Sequence, residues 1–150
     1  MRWLLVFATL LWTAGTVRAI DNPDAPDFAG SFEARAQPYE ERLSDVGGSG
    51  SSTIGAAARA YARFLDVEMD KAYEQLLGKL DAKSRRALVR SQRQWRRYLD
   101  AETRFINQNW TPRSFGSSSI LSRADYSTRL AKQRVVLLLN YLRNYPEGER

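Results

Sequence analysis

From Trp3 to Gly15 the chain is apolar almost without a break, whereas beyond residue 52 apolar positions recur every three or four residues. The two patterns predict different fates. A basic Met1-Arg2 start, a short apolar core and Val17-Arg18-Ala19, with small residues where a leader peptidase cuts, describe a secretory signal over residues 1–19. An apolar run of about 13 residues falls short of the ~20 that a spanning helix requires. Ile20 is then the expected mature start, and the mature protein is expected to be periplasmic or secreted with no transmembrane span.

The periodic region predicts three helices. Tyr61, Leu65, Met69, Ala72, Leu76 and Leu80 place one apolar stripe on a helix from about Gly55 to Leu80. Asp81 is a good N-cap for a second, from about Ala82 to Asn107, whose stripe is Leu88, Gln92, Trp95, Leu99 and Ile106. Ser122 and Asp125 resemble a capping box opening a third helix, which ends near Asn144 because Pro146 cannot continue it. No alternating strand pattern occurs, so the expected fold is all-α: a small antiparallel three-helix bundle behind a signal peptide and a flexible leader. The expected divisions are signal peptide 1–19, leader and linker 20–52, helical domain 53–145 and tail 146–150. Within the leader, Ser31 to Leu43 has helical spacing around Phe32, Tyr39 and Leu43, but Pro38 interrupts it, and Gly47 to Ser52 reads as a flexible linker.

Composition narrows the chemistry. The chain has no cysteine and no histidine, which removes the commonest metal ligands, the lipid-anchoring cysteine of a lipoprotein and the usual activators of a serine or thiol nucleophile. No cofactor and no metal site are expected. The formal net charge is +6, and it stays positive when Arg2 and Arg18 leave with the signal. Such a balance favours anionic partners, namely acidic proteins, anionic lipid or polysaccharide; export separates the chain from nucleic acid.

Three constellations stand out. Arg86, Arg90, Arg93, Arg97 and Arg104 form one ridge on the second helix, flanked by Arg85 and Arg96. Five like charges on one ridge repel unless something anionic lies alongside. Either the acidic ridge Asp66, Asp70 and Glu74 of the first helix pairs with them, or a partner does. Gln92 sits inside an apolar stripe, and an unpaired buried amide costs about 1–3 kcal/mol. It therefore needs partners, and Gln92, Trp95, Asp100 and Arg134 are the expected structural core network, with Glu68 and Glu102 as further charged candidates. Trp110 and Phe115 lie in a long connection with Ser117 and Ser118, where aromatic residues serve as binding anchors or fold back as a lid. A carboxylate-based enzyme using Glu68, Asp100 or Glu102 is the remaining alternative, but nothing supplies a nucleophile, an oxyanion site or a cofactor.

Ordered motifs carry a family resemblance. Leu65-Asp66-Val67-Glu68-Met69-Asp70-Lys71-Ala72-Tyr73, then Leu80-Asp81 and Leu88, then Gln92-Arg93-Gln94-Trp95, Leu99 to Thr103, Phe115 to Ser119 and Leu130 to Arg134 resemble, in order, the motifs of the family named for the lysozyme inhibitor LprI. Thr103 and Tyr126 stand where that family has cysteines, Leu99 where it has arginine and Ala131 where it has threonine. The resemblance implies a helical exported domain and, by analogy, inhibition of a protein partner of the lysozyme-type hydrolase class; that the chain is no enzyme is expected from the missing nucleophile, oxyanion site and cofactor. The expected partner-binding residues are Trp110, Phe115, Ser117, Ser118, Arg86, Arg90, Arg93 and Arg97.

Overall fold

The computed structural model describes residues 25–145; the expected signal peptide and the tail 146–150 lie outside them. The described residues form five α-helices, not three. They are α1 (Phe28–Asp45), α2 (Ser51–Lys79), α3 (Ala82–Asn109), the single turn α4 (Pro112–Phe115) and α5 (Ser118–Asn144), with a 3-10 turn over Val46–Gly48.

The added helix at the start corrects both the three-helix bundle and the flexible leader that was to precede it. Asp27 caps α1 by accepting a hydrogen bond from the Gly30 amide at 2.8 Å, and the helix passes through Pro38 without ending. Pro38 and Ala34 both face solvent, so water can serve the carbonyl that the proline leaves without a donor. On its other side α1 buries Phe32, Ala36 and Leu43. Phe32 and Tyr39 stack on Phe64 of α2, with ring centroids 6.1 and 4.5 Å apart. A segment that buries a whole phenylalanine is part of the core, since burial of that side chain is worth about 1.5–3 kcal/mol. The glycine- and serine-rich stretch after it is a tight hairpin connection, and α2 already begins at Ser51.

α2 and α5 share the most extensive contact, α1 rests on both, and α3 rests on α5. Tyr39 meets Tyr61, and Arg35 meets Glu68, so α1 and α2 are antiparallel. Gln92 meets Arg134, and Trp110 meets Tyr126, so α3 and α5 are antiparallel as well. The central pair α2 and α5 run parallel, flanked by α1 and α3. Their buried faces carry small residues, Ala57 and Ala72 on one and Ala124, Thr128 and Ala131 on the other. Small side chains let two helix axes approach closely. The Thr128 hydroxyl is satisfied within α5, donating to the Ala124 carbonyl at 2.8 Å.

Helix ends differ in how well sequence located them. Asp81 caps α3 as expected, accepting from the amides of Lys83 and Ser84 at 2.7 and 2.8 Å. Ser122 and Asp125 do not open a helix. α5 starts four residues before Ser122, at Ser118, and the Asp125 carboxylate instead accepts from Arg129 one turn on, at 2.6 Å.

Candidate functional site

The connection between α3 and α5 is ordered by local chemistry. Thr111 caps α4, its hydroxyl accepting from the Ser114 amide at 3.3 Å, and Pro112 occupies the first turn where its missing donor costs nothing. Gly116 ends the turn at φ 60° and ψ −149°, a conformation essentially reserved for glycine. Ser118 and Ser119 then donate to the carbonyls of Phe115 and Gly116 at 2.6 and 2.8 Å, which turns the chain into α5.

This turn assembles four aromatic rings. Trp110 lies 5.8 Å from Phe105 edge-on, 6.2 Å from Phe115 in a stacked arrangement and 4.9 Å from Tyr126. Phe105 and Phe115 are 53% and 50% exposed, and Tyr126 is 37% exposed. The rings pack on one another and stay outside the main core. Trp110 and Phe115 are thus neither isolated loop anchors nor a lid closed over the bundle. Ser117 and Ser118 are exposed at the rim, although the Ser118 hydroxyl is already engaged. Sequence reasoning missed Phe105 and Tyr126. The signal for Phe105 was its position off the Leu88–Ile106 stripe on a helix otherwise clad in charge.

Arg86, Arg90, Arg93, Arg97 and Arg104 are all exposed on the face of α3 that points away from α5. None makes an ion pair among the described residues. Among the described residues the acidic ridge of α2 pairs with the flanking Arg96 alone, which lies 2.9 Å from Asp70 and 3.8 Å from Asp66. Arg85, the other flank, donates to the carbonyls of Leu77 and Leu80 at the end of α2.

The core network forms around Arg134, which is only 6% exposed. Its Nε donates to Gln92 Oε1 at 2.9 Å, its Nη2 reaches Ser91 Oγ at 3.4 Å, and its guanidinium lies 5.7 Å from the Trp95 ring centroid. The Gln92 amide in turn approaches Met69 Sδ at 3.3 Å. Burial without a carboxylate pushes the Arg134 guanidinium below its ordinary value. Asp100 is exposed on α3 and outside this group, because its place on the helix turns it toward solvent.

The carboxylates do not converge on a catalytic centre. Glu68 is buried on the opposite flank, where it accepts from Arg35 of α1 and from Lys71 at 3.1 Å. Burial alone would raise its carboxyl, but those two cations and their hydrogen bonds hold it below the ordinary range. Glu102 is half-buried on α3. A cavity of about 480 Å³ opens between α1, α2 and α5, lined in part by Glu40, Tyr61, Thr128 and Lys132. Its polar groups are committed to each other: Tyr61 donates to Glu40 at 2.6 Å, and Lys132 bridges Glu33 and Glu40 at 2.6 and 2.9 Å. Against the effect of burial, Tyr61 and Lys132 keep Glu40 ionised, and burial with the neighbouring carboxylate raises the Tyr61 phenol. Neither group is free to exchange a proton near neutral pH. Among the described residues no cluster of His, Cys, Asp or Glu could hold a metal ion, and no helix is long and apolar enough to cross a membrane.

Comparison with curated proteins and with solved structures gave no match. A family model described as lysozyme inhibitor LprI matches residues 47–138, from the α1–α2 turn into the second half of α5. The matched stretch covers more than half of the chain and takes in the aromatic cluster, the arginine row and the Arg134 network, while α1 lies outside it. The chain therefore belongs to the lysozyme inhibitor LprI family, which is a non-catalytic one.

Proposed function

We propose that the chain is exported through residues 1–19 and binds a peptidoglycan hydrolase in the cell envelope, blocking it by covering its surface. The aromatic cluster of Phe105, Trp110, Phe115 and Tyr126 is the contact surface, with Ser117 and Ser118 at its rim. The observation that carries this reading is that three of the four rings are more than a third exposed, yet held in place by a capped turn. Large aromatic side chains pre-ordered at a surface make strong contacts at little further entropic cost. Family membership supports this choice of partner class.

Charge refines the choice of enzyme. Arg104 adjoins Phe105, and Arg113 lies within α4, so the surroundings of the cluster are basic. A strongly basic lysozyme would be repelled on approach, whereas an acidic hydrolase would be steered in. The test is an inhibition assay of one acidic and one basic peptidoglycan hydrolase with the purified mature protein. Saturable inhibition, stronger for the acidic enzyme and reduced at least tenfold by Trp110→Ala with Phe115→Ala, is the expected result. No inhibition of either enzyme at high micromolar protein, or inhibition that the double variant leaves unchanged, refutes the assignment.

A further inference from the structure

The charge of the chain is segregated onto one helix. α3 holds eight of the 23 Lys and Arg residues and two of the 17 Asp and Glu residues, leaving fifteen of each sign for everything else. The whole formal excess of +6 thus sits on α3. The two flanking arginines, Arg85 and Arg96, are engaged by α2, while Arg86, Arg90, Arg93 and Arg97 face outward without an ion pair among the described residues. Neighbours three and four residues apart on a helix repel when alike, so the row is maintained at some cost to the fold. An external anion is the simplest compensation.

The shape of the row selects among anions. At a rise of 1.5 Å per residue, Arg86 to Arg97 spans about 16 Å in steps of roughly 4.5–6 Å, and Arg104 extends it to about 27 Å. This is a single file of charges on a convex helix, with spacing close to the length of one sugar unit in an extended chain. Guanidinium groups bind carboxylates in paired hydrogen bonds. The positions bordering the file are Gln94, Asp100 and Ala101, all exposed and none able to anchor in acyl chains, whereas the exposed aromatic residues of α3, Tyr98 and Phe105, lie roughly 100° round the helix from the file. A bilayer surface is therefore the poorer fit and a linear polymer the better one. We infer that the outward face of α3 is a docking track for an anionic polysaccharide carrying about one charge per sugar, with Arg86, Arg90, Arg93 and Arg97 as its main contacts. The four main contacts lie apart from the aromatic cluster, which meets the row only at its far end beside Arg104, so a protein held on envelope glycan through Arg86 to Arg97 keeps that cluster available to a hydrolase.

The probe is a fluorescently labelled oligogalacturonate of about ten units, with a neutral glucan of equal length as control and vesicles of phosphatidylglycerol as the lipid arm. Binding to the purified protein is followed by anisotropy across a range of salt. Oligogalacturonate binding that weakens steeply as salt rises, as expected when several counterions are released, and no binding of the neutral glucan are expected. The variant R86Q/R90Q/R93Q/R97Q should bind at least tenfold more weakly and lose most of the salt dependence. The charge-matched variant R42Q/R59Q/R63Q/R123Q, altered on other helices, should change binding no more than twofold. Circular dichroism establishes that both variants are folded. Trp110→Ala with Phe115→Ala should leave oligogalacturonate binding intact, which separates this proposal from hydrolase inhibition. Equal losses in the two charge-matched variants, salt-insensitive binding, or binding to the vesicles in preference to the oligogalacturonate would overturn it.

Discussion

Gln92→Leu isolates the energetics of the Arg134 network. In the folded protein Gln92 Oε1 is the acceptor for Arg134 Nε at 2.9 Å, and no carboxylate among the described residues pairs with this buried guanidinium. Leucine is close to glutamine in volume, so the substitution removes an acceptor without opening a large cavity. Leaving a buried charged donor unsatisfied costs about 2–3 kcal/mol, partly offset by the added apolar contact, for a net loss of about 2 kcal/mol. In a domain of this size that lowers Tm by roughly 8 °C. Arg134→Met alone should cost about 1–2 kcal/mol, because it strands the neutral Gln92 carbonyl and removes the contact with Trp95. The double variant should cost less than the sum of the two by at least ~1 kcal/mol, since with both polar partners gone nothing is left unsatisfied. Urea and thermal unfolding of the four proteins, followed at 222 nm, complete the cycle. A Gln92→Leu protein within 2 °C of the parent, or strictly additive losses, would refute the claim that the pair satisfies each other.

Four further outcomes follow from the same structure. Glu40 and Glu68 lie below their ordinary value of 4.5 in the folded state and Lys132 above its ordinary 10.5. The acids therefore stabilise above about pH 4.5, with that contribution lost as pH falls through their folded values. Lys132 stabilises below about pH 10.5, with loss as pH rises further. Tm measured against pH should show a plateau between these limits, and Glu68→Gln should flatten its acid side. Phe32→Ala should cost about 3–5 kcal/mol by cavity formation, as read by urea unfolding, whereas a loss under 1 kcal/mol would mean that α1 is not part of the core. Gly116→Ala has open space for the new methyl but the wrong φ, so strain alone should cost about 1–3 kcal/mol and shift the tryptophan emission spectrum. Relieving like-charge neighbours through R90Q/R97Q should raise stability by about 0.2–0.5 kcal/mol per pair at low salt and by nothing at high salt, measured by thermal unfolding.

Much of the architecture was written in local periodicity. The Tyr61–Leu80 stripe, the Asp81 cap and the helical region up to Asn144 follow from spacing and capping chemistry, which depend on neighbours a few residues away. The arginine ridge was legible for the same reason, since steps of three and four place residues on one face of any helix. The need of Gln92 for a partner followed from desolvation alone, whatever the fold. Tertiary packing decided the rest. Pro38 suggested an interruption, but Phe32, Ala36 and Leu43 found a surface on α2 and α5 that the isolated segment does not contain, and burial outweighed the missing hydrogen bond. Asp100 and Arg134 were equally plausible members of the network in sequence. Asp100 lies too far round α3 from the Leu88–Ile106 stripe to join Gln92, whereas Arg134 reaches it only because α5 packs against that stripe. The acidic ridge of α2 looked able to neutralise the arginine row, yet α3 is rotated so that Arg96 alone reaches it. Phe105 and Tyr126 come together with Trp110 and Phe115 from two long helices and a turn because the chain reverses at Gly116. Sequence by itself determined which faces exist; the packing of the helices determined which of them meet and which are left for a partner.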